Sequence, residues 1–212
     1  MNETLKRELI NLIKERRSIS FFDNTKEVDD QILKEIIEIA STAPSGYNIQ
    51  PWKIAIIKSK QNKSILKSIS FNQQKVEDAS VNIVILANSK AGIENVEKVI
   101  DSWISLGYIK QEQKEQLKQS IINSWNDPEK AKIKAIRDSS MFAMNIMLAA
   151  RIFGLETHPI EGFDKQKLIQ FLELPEHLIP IMIICLGYFD NSKQLLPRAY
   201  RFSLEEISYK II

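Results

Sequence analysis

Leu5, Leu9, Leu12 and Ile13 recur at helical spacing, which predicts a helix over about Glu3 to Glu15. A second apolar stripe, Ile32, Leu33, Ile36, Ile37 and Ala40, predicts another over about Asp29 to Thr42. Asp29 or Asp30 is placed to cap it, because a carboxylate accepts from the free N–H groups of a first turn. Trp52 to Lys58 and Val81 to Ala87 read as strands, the second so continuously apolar that it belongs at the centre of a sheet. Gln61 to Ile69 between them is a short helix candidate, and Ile179 to Tyr188 is a third strong strand.

From Ala91 to Gly154 the pattern is almost wholly helical, broken near Gly107 and at Asn126-Asp127-Pro128. The last of these helices, Ile133 to Phe153, begins polar and becomes apolar on nearly all sides, so most of its surface must be covered by the sheet or a second subunit. Helices dominate and the strands lie far apart, which favours an α+β fold over a doubly wound sheet. No internal repeat, low-complexity tract or linker interrupts residues 1–212, which read as a single domain.

Composition removes several classes. Lys and Arg number 29 against 27 Asp and Glu, a net charge of +2, which is no electrostatic footprint for nucleic acid. A single cysteine excludes an internal disulfide and fits a reducing cytoplasm. That residue, Cys185, lies in the apolar run Ile181 to Leu186 and reads as a packed thiol. Two histidines without a Cys/His cluster argue against zinc. Met1 to Lys14 alternates charge with leucine and isoleucine, unlike a signal peptide. The most apolar segment, Met141 to Leu155, is too short for a bilayer and carries Asn145 and Arg151, so no membrane association is expected. The six glycines are scattered and form neither G-x-G-x-x-G nor a P-loop, so a nicotinamide would not sit on a Rossmann unit.

Chemistry concentrates in a few segments. In Ala43-Pro44-Ser45-Gly46-Tyr47-Asn48-Ile49-Gln50-Pro51-Trp52, small residues and two prolines set a turn that presents the amides of Asn48 and Gln50. An amide offers donor and acceptor side by side, which suits the polar edge of a planar heterocycle. Arg16-Arg17-Ser18 near one end and Arg198 with Arg201 near the other are basic pairs, and a guanidinium fork matches phosphate. Phe71-Asn72-Gln73-Gln74-Lys75 is a polar loop ahead of the central strand, where Asn72 could donate or accept and Lys75 supplies positive charge. In His158-Pro159-Ile160-Glu161-Gly162-Phe163-Asp164, Pro159 stiffens the chain and Gly162 allows close backbone approach to a ligand. His158 reads as a structural polar residue, since no acid or nucleophile stands near it in sequence.

These segments together resemble the nitroreductase family of FMN-dependent NAD(P)H oxidoreductases. Arg16-Arg17-Ser18 resembles the family's R-[RH]-S, and Ala43 to Trp52 its A-P-S-x-x-N-x-Q-P-W. Asn72 and Lys75 stand at an Asn-x-x-Lys of the enterobacterial-type branch, and Pro159 to Phe163 is similar to that branch's P-[IM]-E-G-F. Pro197 to Arg201, followed by Leu204 to Ile207, resembles the basic C-terminal signature.

The resemblance implies a central, mostly antiparallel sheet flanked by helices, in an interlocked homodimer with two tightly bound FMN groups between the subunits. It implies that Arg16, Ser18, Arg198 and Arg201 hold the phosphate with Arg17 beside them. Asn72 and Lys75 would meet the pyrimidine edge, and Pro44, Ser45, Asn48 and Gln50 would line the ribityl chain or ring from the other subunit. The backbone from Pro159 and Ile160 through Glu161 and Gly162 would lie over one ring face, an N–H aimed at flavin N5. Tyr47 and Phe71 would flank the substrate or simply pack. NADH or NADPH would give hydride by a ping-pong mechanism, and a nitroaromatic, quinone or similar flat acceptor would be reduced in its place; no side-chain acid or base is required. Ser20 departs from the family, which often places Arg or Lys there, so Lys75 carries more of the charge facing flavin N1. The alternatives are another flavin chemistry on the same fold (reductive dehalogenation or flavin breakdown), a non-catalytic flavin-binding or redox-sensing protein, and a helical binding module without cofactor.

Overall fold

The structure is a computed structural model that describes residues 2–210; Met1, Ile211 and Ile212, the ends of the 1–212 reading, lie outside the described residues. Four strands, β1 (Trp52–Ile57), β2 (Val81–Asn88), β3 (Glu156–Ile160) and β4 (Leu178–Gly187), form one sheet in the order β1-β2-β4-β3. Every pairing is antiparallel. All eight residues of β2 are buried, as its unbroken apolar run demands for a strand covered on both faces.

Helices supply the two covers. Against one face lie α2 (Asp30–Ala40) and α8 (Pro128–Ile152), whose Leu33, Ile36, Phe142, Ile146 and Met147 pack on Val81, Ile83 and Ile85. Trp52 stacks on Phe142 with ring centroids 5.0 Å apart and planes 3° from parallel. On the other face α3 (Lys60–Ile69), α4 (Gln74–Asp78) and α9 (Lys165–Phe171) bring Leu66, Val76 and Leu168 against Val84, Leu86 and Ile183. Alternation along β2 sends Val81, Ile83 and Ile85 to the first core and Val84 and Leu86 to the second, while Ala87, past a register shift between Ile85 and Leu86, joins a third. That third core joins α5 (Ala91–Glu94), α6 (Val96–Ser105) and α7 (Lys114–Ser124) to the first half of α8.

The first helix, α1 (Glu3–Glu15), is capped by the Asn2 side chain accepting from the Leu5 N–H at 2.8 Å, yet none of its residues is buried. The helix α8 starts at Pro128, five residues before the apolar pattern begins. Asp127 accepts from the N–H groups of Glu129 and Lys130, and proline suits the first helical position because its missing donor is not needed there. Sequence reading also passes over β3. Proline weakens an interior strand, but Pro159 is tolerated at the sheet edge, where one side of the backbone needs no ladder partner. The short α4, α9 and α10 (Leu204–Ile207) give too few turns for a 3.6-residue pattern to register, and α4 turns the expected polar loop at Lys75 into helix.

Gly92 tests the third core. It is buried in α5, and a Cβ there would overlap the buried indole of Trp125. Gly92→Ala is expected to destabilise the protein by about 1–3 kcal/mol through overpacking. Urea unfolding measures it, and an unchanged midpoint would contradict this packing.

Candidate active site

The chain leaves α1 in extended conformation at Arg16 and runs along the edge strand β3, Ser18 bridging to Thr157 and the Ile19 N–H donating to the Thr157 carbonyl at 3.1 Å. Strand-like alternation sends Ile19 into the core and leaves Ser18 and Ser20 exposed. From the far end of the chain, Arg198 donates from Nη1 to the Arg16 carbonyl at 3.2 Å. Arg16 is half-buried, with Nη1 shielded from solvent and no hydrogen-bond partner. Burial, then the nearby charges of Arg198 and Arg201, press its guanidinium below the ordinary arginine range. Arg201 Nη1 meanwhile donates to the carbonyl of Tyr200 at 2.8 Å, in its own exposed tail.

Behind this group Arg151 pairs with Glu156 and, at 3.6 Å, with Glu15. Burial raises the Glu156 carboxyl while Arg151, Arg16 and Arg17 oppose the rise. The buried Arg151 Nε and Glu156 Oε2 also lack partners. One half-buried carboxylate therefore faces several guanidiniums, and the excess is positive. An unpaired buried donor is costly, and a planar fork is satisfied by two oxygens of a phosphate. The donor set fits a phosphate monoester.

Next to it lie the segments at 71–75 and 158–162. His158 Nδ1 is 2.9 Å from the Ile19 carbonyl, so its side chain straps the Arg16 segment to β3. Phe71 and Asn72 both take positive φ, 53° and 58°, and Phe71 stands 67% exposed. Gln73 ties the two segments together: Nε2 donates to the Gly162 carbonyl at 2.8 Å, and Oε1 accepts from Lys75 Nζ at 3.0 Å. A Cβ at Gly162 would come within 3.2 Å of that Gln73 nitrogen, so glycine leaves the contact unobstructed. Pro159 is half-buried and Ile160 buried, with Glu161 and Gly162 exposed beyond them. Cys185 opposite His158 is buried, and burial pushes its thiol up to about 12, which leaves it an inert packing residue.

The 44–50 loop is built differently. Gly46 to Asn48 form one 3-10 turn, and Tyr47, Asn48 and Gln50 have φ of 55°, 54° and 51°. Three such residues in four need outside support. Asp138 of α8, wholly buried, accepts from the Gly46 N–H at 3.0 Å and from Arg137 Nε at 2.7 Å. Asn95 donates to the Ile49 carbonyl at 2.8 Å, and the Gln50 N–H donates to Ser45 Oγ at 2.9 Å. Ser45 and Gln50 are half-buried, whereas Pro44, Tyr47 and Asn48 are exposed.

The residues expected from sequence thus fall into two sets. Arg16, Arg17, Ser18, Ser20, Arg198, Arg201, Asn72, Lys75 and the 159–162 segment cluster around the β3 edge. Pro44, Ser45, Asn48, Gln50 and Tyr47 lead into β1, at the opposite edge. Three strand spacings, about 14 Å, separate those edges, so one chain does not bring the sets together. Gln73, Asp138, Asn95 and the Arg151–Glu156 pair are supports that the sequence reading misses. Only Asp138 leaves a trace there, as a charged residue heading the apolar part of a helix.

Burial, followed by Lys75 and Arg16, depresses the His158 imidazole below 6.5, against the contact with Ile19. Because its folded pKa lies below the unfolded one, its contribution to stability is complete above about 6.5 and is lost as pH falls toward the depressed value. Urea midpoints between about pH 7.5 and pH 5 are expected to fall more steeply for the native protein than for His158→Gln. Equal slopes would contradict this strap.

Comparison with known proteins bears on the fold and the family. YodC of Bacillus subtilis, a candidate NAD(P)H nitroreductase by name, is 30% identical over 178 residues, 84% of this chain and 88% of its own. The crystal structure of ydfN from the same organism, a candidate nitroreductase, superposes with a TM-score of 0.91 at 25% identity, covering 97% of this chain and 100% of that one. A candidate nitroreductase of Exiguobacterium sibiricum, solved in complex with FMN, gives a TM-score of 0.85 at 27% identity over 94% and 95% of the two chains. The model of the Nitroreductase family matches residues 13–188, a span that holds all four strands and the helices α2 to α9, and the chain belongs to that family.

Proposed function

We propose that this protein is an FMN-dependent NAD(P)H oxidoreductase that reduces nitroaromatics, quinones or similar flat acceptors, working in the cytoplasm as a homodimer of single FMN-binding domains spanning 1–212. The observation that carries the reading is the meeting of Arg16, Arg198 and Arg201 around a buried Nη1 with no partner. Nothing in the described residues neutralises that excess, and a doubly charged phosphate would. The FMN complex of the Exiguobacterium sibiricum relative supports the choice of ligand.

Bound FMN would supply the two-electron exchange between reduced nicotinamide and acceptor. The chain's own groups bind and orient. Arg16, Arg198 and Arg201, with the Ser18 hydroxyl, hold the phosphate, and Arg17 adds charge beside them. Lys75, aligned by Gln73, and Asn72, held out by its positive φ, meet the pyrimidine edge. The backbone from Pro159 through Gly162 offers N–H groups and a side-chain-free surface for a ring to lie against. No side chain serves as acid or base. Phe71 is exposed beside Gly162 and is placed to flank a flat substrate.

A second copy completes the site. The loop carrying Pro44, Ser45, Tyr47, Asn48 and Gln50 stands at the wrong edge to reach its own Lys75, but a partner can bring it there. Two uncovered apolar surfaces support such an assembly. The helix α1 exposes Leu5, Leu9, Ile10 and Ile13, and the tail exposes Leu196, Tyr200, Phe202 and Ile207. Seating that tail on a partner would also fix Arg198 and Arg201.

The purified protein is expected to be yellow and dimeric. Arg16→Gln should weaken FMN binding about 10- to 100-fold, the loss of one charge-assisted contact with a buried phosphate. Colourless protein that stays colourless after incubation with FMN would refute the reading.

A further inference from the structure

A cleft of about 360 Å³ opens between the 44–50 loop, the start of β1 and α6. Its lining includes Asn48, Gln50, Lys53, Asn95, Lys98 and Ser102, and no acidic residue among the described ones. Asn95, the N-cap of α6, and Lys98 and Ser102 on the helix follow helical spacing and line the cleft together. The acids of the same region are engaged elsewhere. Glu97 pairs with Lys114 at 2.6 Å and with Lys118, which together hold its carboxyl down to about 2. Asp101 pairs with Lys114 at 2.7 Å, and Glu94 meets Asn88 at 2.7 Å. Charge is thus segregated around one helix: acids are bound toward α7 and β2, while Lys98 faces the cleft.

Neither Lys53 nor Lys98 has a carboxylate within salt-bridge distance among the described residues, although such partners are common on this surface. Two unneutralised ammonium groups, backed by the Asn48, Gln50 and Ser102 side chains, make a site that favours an anion. Ammonium is a compact charge that tolerates varied phosphate geometry, unlike the planar demand of arginine. A cleft of this size suits a segment of a small molecule.

We infer that this cleft binds the phosphate-bearing part of the reduced nicotinamide dinucleotide, with Lys53 and Lys98 as its charge contacts. The inference rests on the proposed oxidoreductase function and deepens it by assigning a place to the electron donor. Asn48 and Gln50 belong both to this lining and to the loop proposed to meet the flavin, so the cleft adjoins the ring site. A nicotinamide over the ring can then extend its diphosphate into the cleft. With FMN bound, its phosphate is taken by Arg16, Arg198 and Arg201, so the cleft is left for a second anion.

The test uses FMN-loaded protein and the double variant Lys53→Gln/Lys98→Gln. Both side chains are exposed, so the exchange leaves the cores untouched. Binding of ADP-ribose, which has the diphosphate but no nicotinamide, is measured by calorimetry on the oxidised protein. Turnover is compared for NADH and the uncharged donor 1-benzyl-1,4-dihydronicotinamide, with menadione as a neutral acceptor. The ADP-ribose Kd is expected to rise about tenfold, and the ratio of kcat/KM for NADH over the neutral donor to fall about tenfold, the scale of two solvent-screened charge contacts. Lys53→Arg/Lys98→Arg should restore most of both. Equal losses with the two donors, unchanged ADP-ribose binding, or an effect confined to the KM of a carboxylated acceptor such as 4-nitrobenzoate would each overturn the assignment. Failure of the native protein to oxidise even the neutral donor would instead bring down the oxidoreductase reading beneath it.

Discussion

Like charges held together at a sheet edge are the constraint on which the rest of this molecule turns. Arg16 and Arg198 are brought into contact across 182 residues of sequence, and Arg201 lies close enough to depress the Arg16 guanidinium further. Repulsion of this kind must be offset by packing elsewhere or by an anion. The packing is visible: Ile19, three residues after Arg16, is buried in the core, His158 straps the same segment, and the Arg151–Glu156 pair closes the rear. The anion is the part the ligand supplies under the proposed function, and the unpaired Nη1 marks where it would bind.

The sheet order imposes the second constraint. A β1-β2-β4-β3 ladder puts the amide loop and the arginine group at opposite edges, and four antiparallel strands with fully buried β2 leave no freedom to bend them together. Both half-sites are therefore made rigid independently. Asp138 and Asn95 hold the loop in its left-handed turns, while Gln73 locks Lys75 and the 160–162 backbone to each other. Preorganisation of this sort is what a protein contributes when a bound cofactor carries the chemistry.

Much of this was legible from residue order alone, and the reasons are local. The boundaries of α1, β1, β2 and β4 follow the apolar pattern within a residue or two: the strands bury their apolar residues in the cores on either side of the sheet, while α1 keeps its regular apolar stripe uncovered. The candidate segments stand out in the sequence as runs of arginine, amide, proline and glycine, since each is confined to a few consecutive residues. What escaped was tertiary. Strand β3 hides behind Pro159, which only its edge position permits. Gln73 looks like any polar loop residue until Gly162, 89 positions away, folds against it. Asn95 and Asp138 act on a loop remote in sequence, and no local signal tells a tether from a surface residue. The separation of the two half-sites likewise depends on strand order, which periodicity does not report.

If the guanidinium group is a phosphate site, as proposed, the ligand's own chemistry isolates it. Riboflavin and FMN share ring and ribityl chain and differ by the phosphate alone. Calorimetric titration of cofactor-free protein with each should give FMN the tighter binding by about 100-fold or more, as expected for a dianion entering a site of charge-assisted donors. Equal affinity for the two flavins would mean that Arg16, Arg198 and Arg201 hold something else.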